Sequence, residues 1–423
     1  MDWVGPAVFF LAGALLGWKA PTAALLAALI ASPIRLEVLG EVNPATALLC
    51  GAVLGRAPVI VAVLRAEPAL FFATIAVPLW ILLSAAWAWQ PAFVFGLAGK
   101  WFTVALAAWL AAADRTREPR VLVMGALVAM IPHALWGLAE RLHLIAPLGD
   151  PRVLVNRAID FMGNIRGRAL FWHPNRLGEF LEQIGLFVVA AGSAGILPWF
   201  CLLGFLAALA GVWGTGSMGS LGTLAGGSFL VAAWVALDRR GADRLGRWLV
   251  WGTAAFAATG IVAWAYWAHD GLGPRGIVFR FAWEQIAENP WLGIGGGNWS
   301  LAVGRAHLDI SRFWFRGHAH SLPLHVWAEL GVLGLILVTA FFLVPIGSAF
   351  RRYRAISLPW RGVGVGASAA VLALLAHNFV HYFLRDAADG IPTGLLLGLA
   401  VAAARRGGDG HTTPDVVRTE VIS

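Results

Sequence analysis

Apolar stretches of about 20 residues, the length an α-helix needs to cross a bilayer, recur along nearly the whole chain. Clear stretches cover 45–64, 68–90, 92–113, 119–139, 177–196, 197–213, 216–237, 246–267, 321–349, 361–384 and 388–404. Two more, 3–18 and 20–34, are shorter and are split by Lys19-Ala20-Pro21. The sequence therefore predicts an all-α polytopic integral membrane protein with about 12–13 transmembrane helices. Composition agrees: 59% of the 423 residues are hydrophobic and 13% charged, against about 45–50% and about 25% in soluble proteins. That balance excludes a soluble multidomain enzyme, a disordered chain and a nucleic-acid-binding domain. The net charge of +8 reflects loop arginines, and no nucleic acid partner is expected. The N-terminal run lacks an Ala-x-Ala-like cleavage site before a soluble region, so it reads as a retained helix.

The basic residues are lopsided. Only Lys19 and Lys100 are lysines; the other 29 of 31 are arginine. A high-GC genome produces such a bias, and so does phosphate recognition, which favours the guanidinium fork. Cys50 and Cys201 sit in apolar runs, so neither a disulfide framework nor a cysteine metal site is expected. Short basic loops give the orientation: 114–120, 238–247, 350–361 and the pair Arg405-Arg406 thread to one side, the cytoplasm by the positive-inside rule. Two longer loops then face outward. The expected division is N-terminal helices (1–139), a first outer loop (140–176), central helices (177–267), a large outer loop (268–320), C-terminal helices (321–406) and a polar tail (407–423). No internal repeat is visible, which argues against a transporter built from two related halves.

Chemistry-bearing residues gather in the outer loops. The first ends in Arg166-Gly-Arg168-Ala-Leu-Phe-Trp-His173-Pro174-Asn175-Arg176, followed closely by Glu179 and Glu182. Pro174 suits the first turn of a helix with a polar cap beside it. Arginines at a helix start also make an anion site. Glu179 and Glu182, three apart, share a face near the outer surface. The second loop holds Arg280, an amphipathic stretch over 277–288 expected to lie on the membrane, Pro290, and a glycine cluster at 293–297. No Lys-Ser/Thr follows the glycines, so they are not a P-loop. The loop closes with Arg316-Gly-His318-Ala-His320-Ser321, then His325 and Glu329. Taken alone, these histidines fit an interfacial role facing water as well as a catalytic one. His-x-His is too loose a signal for a metal site.

Three of these elements together are recognisable. His320-Ser321, nine residues, then Gly331-x-x-Gly334 resembles the His…Gly-x-x-Gly signature of the bacterial O-antigen ligase and O-antigen polymerase superfamily. Arg166…His173-Pro174-Asn175 resembles that family's Arg…His-Pro-Asn box, and Arg280…Pro290-x-x-Gly293-x-Gly295 its helix and turn ahead of the catalytic histidine. Where many members carry Ser-Arg after the next span, this chain has Ser217-Met218. None of the large-loop arginines fits the Arg-x-x-x-Leu of some ligases.

The resemblance implies a GT-C-like glycosyltransferase with periplasmic loop helices, in the bacterial inner membrane, acting as a monomer or small oligomer. It implies a glycan donor on undecaprenyl diphosphate and an acceptor hydroxyl on lipid A-core or on a second lipid-linked glycan. His320 is the expected base. Arg280 and Arg166 would hold the donor diphosphate, with Arg168 and Arg316 in reserve. His318, His173, Asn175, Glu179 and Glu182 are expected to support them. No cofactor and no metal is expected, and a single displacement would invert the anomeric carbon. Three readings stay open: a ligase, a polymerase, and a non-enzymatic carrier of lipid-linked sugars. A carrier would concentrate its charge at mid-membrane, whereas here the charge sits in outer loops.

Overall fold

The computed structural model describes residues 4–33, 43–116, 118–146, 165–171, 173–239, 274–306, 317–379, 381–382 and 387–408. The expected span 246–267 and Arg316 lie outside them. Fifteen α-helices run through the described residues: α1 (Val4–Lys19), α2 (Pro21–Ala31), α3 (Pro44–Gly55), α4 (Ala57–Ala66), α5 (Pro68–Leu83), α6 (Pro91–Ala112), α7 (Pro119–Arg141), α8 (Pro174–Ser193), α9 (Pro198–Thr215), α10 (Met218–Arg239), α11 (Pro274–Glu288), α12 (Trp299–Arg305), α13 (Leu322–Arg352), α14 (Leu358–His377) and α15 (Ala387–Gly408). Most begin on or just before a proline, whose fixed φ suits a first turn and whose missing N–H is no loss there. No strand occurs among the described residues. The protein is an all-α polytopic membrane protein.

Seven helices among the described residues are long and apolar enough to span a membrane, or eight if one bent pair is a single span. Of the twelve or thirteen expected, the span 246–267 lies outside the described residues, and three local features account for the others. The stretch 45–64 is not one helix: α3 and α4 meet at an angle of 78°. Pro58 cannot continue a helix through Arg56, whose own φ and ψ (−109°, 4°) are non-helical. Arg56 instead lies where its charge interacts with Arg115 and Asp114. Second, α1 and α2 are only 16 and 11 residues long. Third, α8 and α15 fill the expected spans 177–196 and 388–404 but carry Arg176, Glu179, Glu182 and Asp389 among their apolar residues.

The described parts of the four basic segments gather at one end. Arg406 donates to Thr116 O at 2.8 Å and its guanidinium lies 3.6 Å from the centre of the Trp360 ring. Arg361 pairs with Asp238 at 2.8 Å, and Arg352 with Glu67. At the centre of the bundle stands α8, packed against α7, α9, α10, α14 and α15. Nearly every residue of its first four turns is buried. Its proline end faces away from the basic end, and there the chemistry-bearing residues meet.

Candidate active site

The glycine cluster of the large loop is held by a broken helix. In α13, Gly331 adopts φ 70° and ψ −178°, a conformation open essentially to glycine alone. The break frees carbonyls that an intact helix would use. Ile294 N donates to Ala328 O at 3.0 Å and Gly295 N to Glu329 O at 2.9 Å. The Trp80 indole donates to Leu330 O at 3.0 Å. A side chain at Gly331 would collide with the Trp291 carbonyl. The Glu329 carboxylate completes the clamp, accepting from Gly297 N at 3.0 Å and Trp299 N at 2.7 Å. These glycines therefore dock the loop on α13; their amides are committed to protein acceptors.

The clamp positions a cluster of imidazoles. His320 sits immediately ahead of α13 with φ 51°, left-handed and uncommon for a residue with a side chain. Its ring centre is 4.0 Å from that of His318, and its amide donates to His318 Nδ1 at 3.1 Å. The segment after α14 supplies the other wall. Leu322 N donates to Asn378 O at 2.8 Å, fixing the two segments together. The His381 ring lies 6.1 Å from His320 and nearly parallel to it, and Tyr382 lies 5.5 Å from His318 and 4.2 Å from His325.

The start of α8 supplies charge. His173 caps the helix, its Nδ1 accepting from Asn175 N at 3.1 Å. Thus the cap is the histidine, and Asn175 is free to turn its side chain outward. Asn175 accepts from the Arg166 guanidinium and approaches His381 Nε2 at 3.4 Å. Arg166 also donates to Thr215 O at 2.6 Å, in the turn that leads to Ser217 and Met218. Glu179 lies against His381 at 3.0 Å and against Arg176 at 3.0 Å, and Arg176 reaches Asp389 at 2.7 Å. Glu182 pairs with His377 at 2.9 Å. Both glutamates are fully buried in the bundle, in the first turns of α8 at the end away from the basic segments. The reason is that α8 is the central helix, with no solvent-facing side.

Of the expected residues, Arg166, His173, Asn175, Glu179, His318 and His320 form one connected group. Arg168 lies beside it; its amide donates to Glu140 Oε2 at 2.6 Å. Arg280 is exposed on α11, whose other face, with Phe281, packs on Trp299. No contact joins it to the imidazoles among the described residues. The sequence motifs assign no role to Arg176, Tyr382, Asp389, Lys100, His377 or His381. The rule that ionisable groups within spans default to function marks Asp389 and Lys100. Nothing in the sequence marks Tyr382. Among the described residues no group of three or more His, Cys, Asp or Glu has a metal-binding arrangement.

Imidazoles, carboxylates and guanidinium groups thus gather at one helix-end cluster of an all-helical membrane bundle. Comparison supplies a likeness: residues 203–339 match the sequence model of the O-antigen ligase family. The match runs from α9 into α13 and contains Arg280, His318, His320, Gly331 and Gly334; the α8 charge cluster and His381 lie outside it. No curated protein matches the chain.

Proposed function

We propose that this protein is a metal-independent, inverting glycosyltransferase of the O-antigen ligase type. It moves a glycan from undecaprenyl diphosphate to a hydroxyl of lipid A-core at the periplasmic face of the inner membrane. One observation carries the reading: a line of polar groups runs from His320 through His381 to Asn175 and the Arg166 guanidinium, all at one end of the bundle. Imidazole is the side chain whose ordinary pKa suits a base near neutral pH. His320 takes the proton of the acceptor hydroxyl as its oxygen attacks the anomeric carbon. The bond from that carbon to the diphosphate oxygen breaks, and the leaving group departs with the electron pair and its negative charge. A guanidinium answers that charge with paired N–H donors. Arg166 reaches the turn where many relatives carry Ser-Arg and this chain carries Ser217-Met218, so it serves in that arginine's place. Arg280, and then Arg168 and Arg316, act on the outer part of the donor.

A polymerase joining lipid-linked repeat units uses the same chemistry with a different acceptor. The test is transfer by purified protein from an undecaprenyl-diphosphate glycan, offered lipid A-core and, separately, a second lipid-linked repeat unit. Glycan on lipid A-core is the expected product. Lengthening of the lipid-linked chain alone would make the protein a polymerase. Neither product, with donor still bound, would favour a carrier.

A further inference from the structure

The bent pair α3 and α4 does not point where a span would. α3 packs lengthwise on α1, backbone to backbone: a Cβ at Gly51 would strike Phe10 O, and one at Gly55 would strike Ala14 O. α4 then leaves at 78°. Both of its ends are held at the basic end of the bundle. At its start, the charge of Arg56 interacts with Asp114, which also takes Arg406 at 3.4 Å and the Thr22 hydroxyl at 2.7 Å. At its close, Glu67 pairs with Arg352 in the last turn of α13. The 10 residues of α4 cover about 15 Å, so the helix runs across the basic end instead of through the membrane. Trp18, 68% exposed, stands at the level of the bend, since a Cβ at Gly55 would come within 3.0 Å of its amide nitrogen. Exposed tryptophans gather at the boundary between membrane and water.

α4 has two faces. Ile60 and Val63 are buried against the bundle. Pro58, Val61, Ala62 and Arg65 are exposed, and their i, i+3, i+4, i+7 spacing puts them on one stripe. An apolar stripe ending in a cation is what a helix lying in the headgroup layer turns to lipid. Cations collect around the same corner. Lys19, Arg65 and Arg115 are exposed, and Arg115 is near enough to Arg56 for the two guanidinium groups to repel. The acids there are already engaged: Asp114 is shared between Arg56 and Arg406, and Glu67 is taken by Arg352. Glu118 is exposed on the same loop. With Arg352 and Arg406 counted, six basic groups meet three acidic ones among the described residues of this corner, so it keeps a positive surplus whichever pairs form.

We infer that α4 is an interfacial helix and that its corner with α1 binds the headgroup of an anionic phospholipid, the exposed stripe lying against the acyl chains. The corner is at the opposite end of the bundle from the histidines, and the transfer chemistry plays no part in it. Full-length protein, delipidated in detergent, is titrated with dioleoyl phosphatidylglycerol or dioleoyl phosphatidylcholine, with binding followed by native mass spectrometry. Each cation near the surface is worth about fivefold in affinity for an anionic lipid, so phosphatidylglycerol should bind at least about tenfold more tightly. Arg65→Gln/Arg115→Gln, at two exposed positions, should remove most of that preference, and Arg65→Lys/Arg115→Lys should keep it. Equal binding of the two lipids overturns the inference. So does a preference unchanged in the glutamine variant, or lost equally in the lysine variant. The direction of α4 is read separately in nanodiscs, from spin labels at Pro58→Cys and Ala66→Cys in a Cys50→Ala/Cys201→Ala background. The two labels should lie at one depth. A difference near the rise over eight residues, about 12 Å, would make α4 part of a span and overturn the headgroup site with it.

Discussion

His381 Nε2 lies 3.0 Å from Glu179 Oε1, tying the segment after α14 to the buried first turns of α8. The contact fixes the imidazole in a plane within 8° of the His320 ring. A carboxylate behind one imidazole, with a second imidazole in front of it, orients the group that meets the substrate. His381 is thus a positioning residue for His320. His381→Ala should lower kcat of transfer by about 10²-fold, the cost of a misplaced catalytic group, with expression and thermal stability near wild type. Wild-type kcat would remove it from the site.

His320 holds a left-handed backbone (φ 51°), which costs a residue with a side chain about 1–2 kcal/mol. His320→Gly relieves that cost. Thermal unfolding in detergent should show stability equal to or above wild type, while transfer falls by the about 10²–10⁴-fold that a general base supplies. Lower stability would mean that the ring packs for structure rather than for chemistry.

Arg176 and Arg166 should separate by readout. Arg176 is buried between Glu179 and Asp389 at 3.0 and 2.7 Å. Arg176→Met leaves those carboxylates without their cation, a change that costs about 3–5 kcal/mol for a buried pair, so it should appear as lost folded protein. Arg166→Lys should fold normally and lose about 10²–10³-fold in transfer, as when a charge-stabilising donor is removed. Size-exclusion profiles and product assays on both variants check the distinction.

Gly331→Ala should be among the most damaging changes in the chain. The conformation at φ 70°, ψ −178° alone costs an alanine about 1–3 kcal/mol. The new methyl would also strike the Trp291 carbonyl. Gly96→Ala on α6 is the control, since its Cβ meets nothing within 4 Å. Melting temperatures of the two variants should differ clearly; equal values would mean the break at Gly331 does not hold the loop.

Much of this arrangement is legible in the chain. Apolar run length and proline positions give most helices to within a few residues, because both act locally. The loop motifs bring Arg166, His173, Asn175, His318 and His320 to one region, since each stands at the start of a helix at the same end of the bundle. Other features depend on tertiary placement. The partners of Glu179 and Glu182, His381 and His377, emerge only once α8 proves central. His381 and Tyr382 follow the end of α14 and carry no motif; tertiary contacts, the Leu322–Asn378 hydrogen bond and the His381–Glu179 pair among them, bring them beside His320. The bend at Arg56 was written in Pro58, but the apolar run around it hid the break.

The most direct measurement is the transfer rate of His320→Ala beside wild type in proteoliposomes, with an undecaprenyl-diphosphate glycan donor and lipid A-core acceptor. Donor binding should be unchanged and the rate should fall by about 10²–10⁴-fold. A rate near wild type, in protein of normal fold and normal donor affinity, would contradict the assignment of His320 as the base.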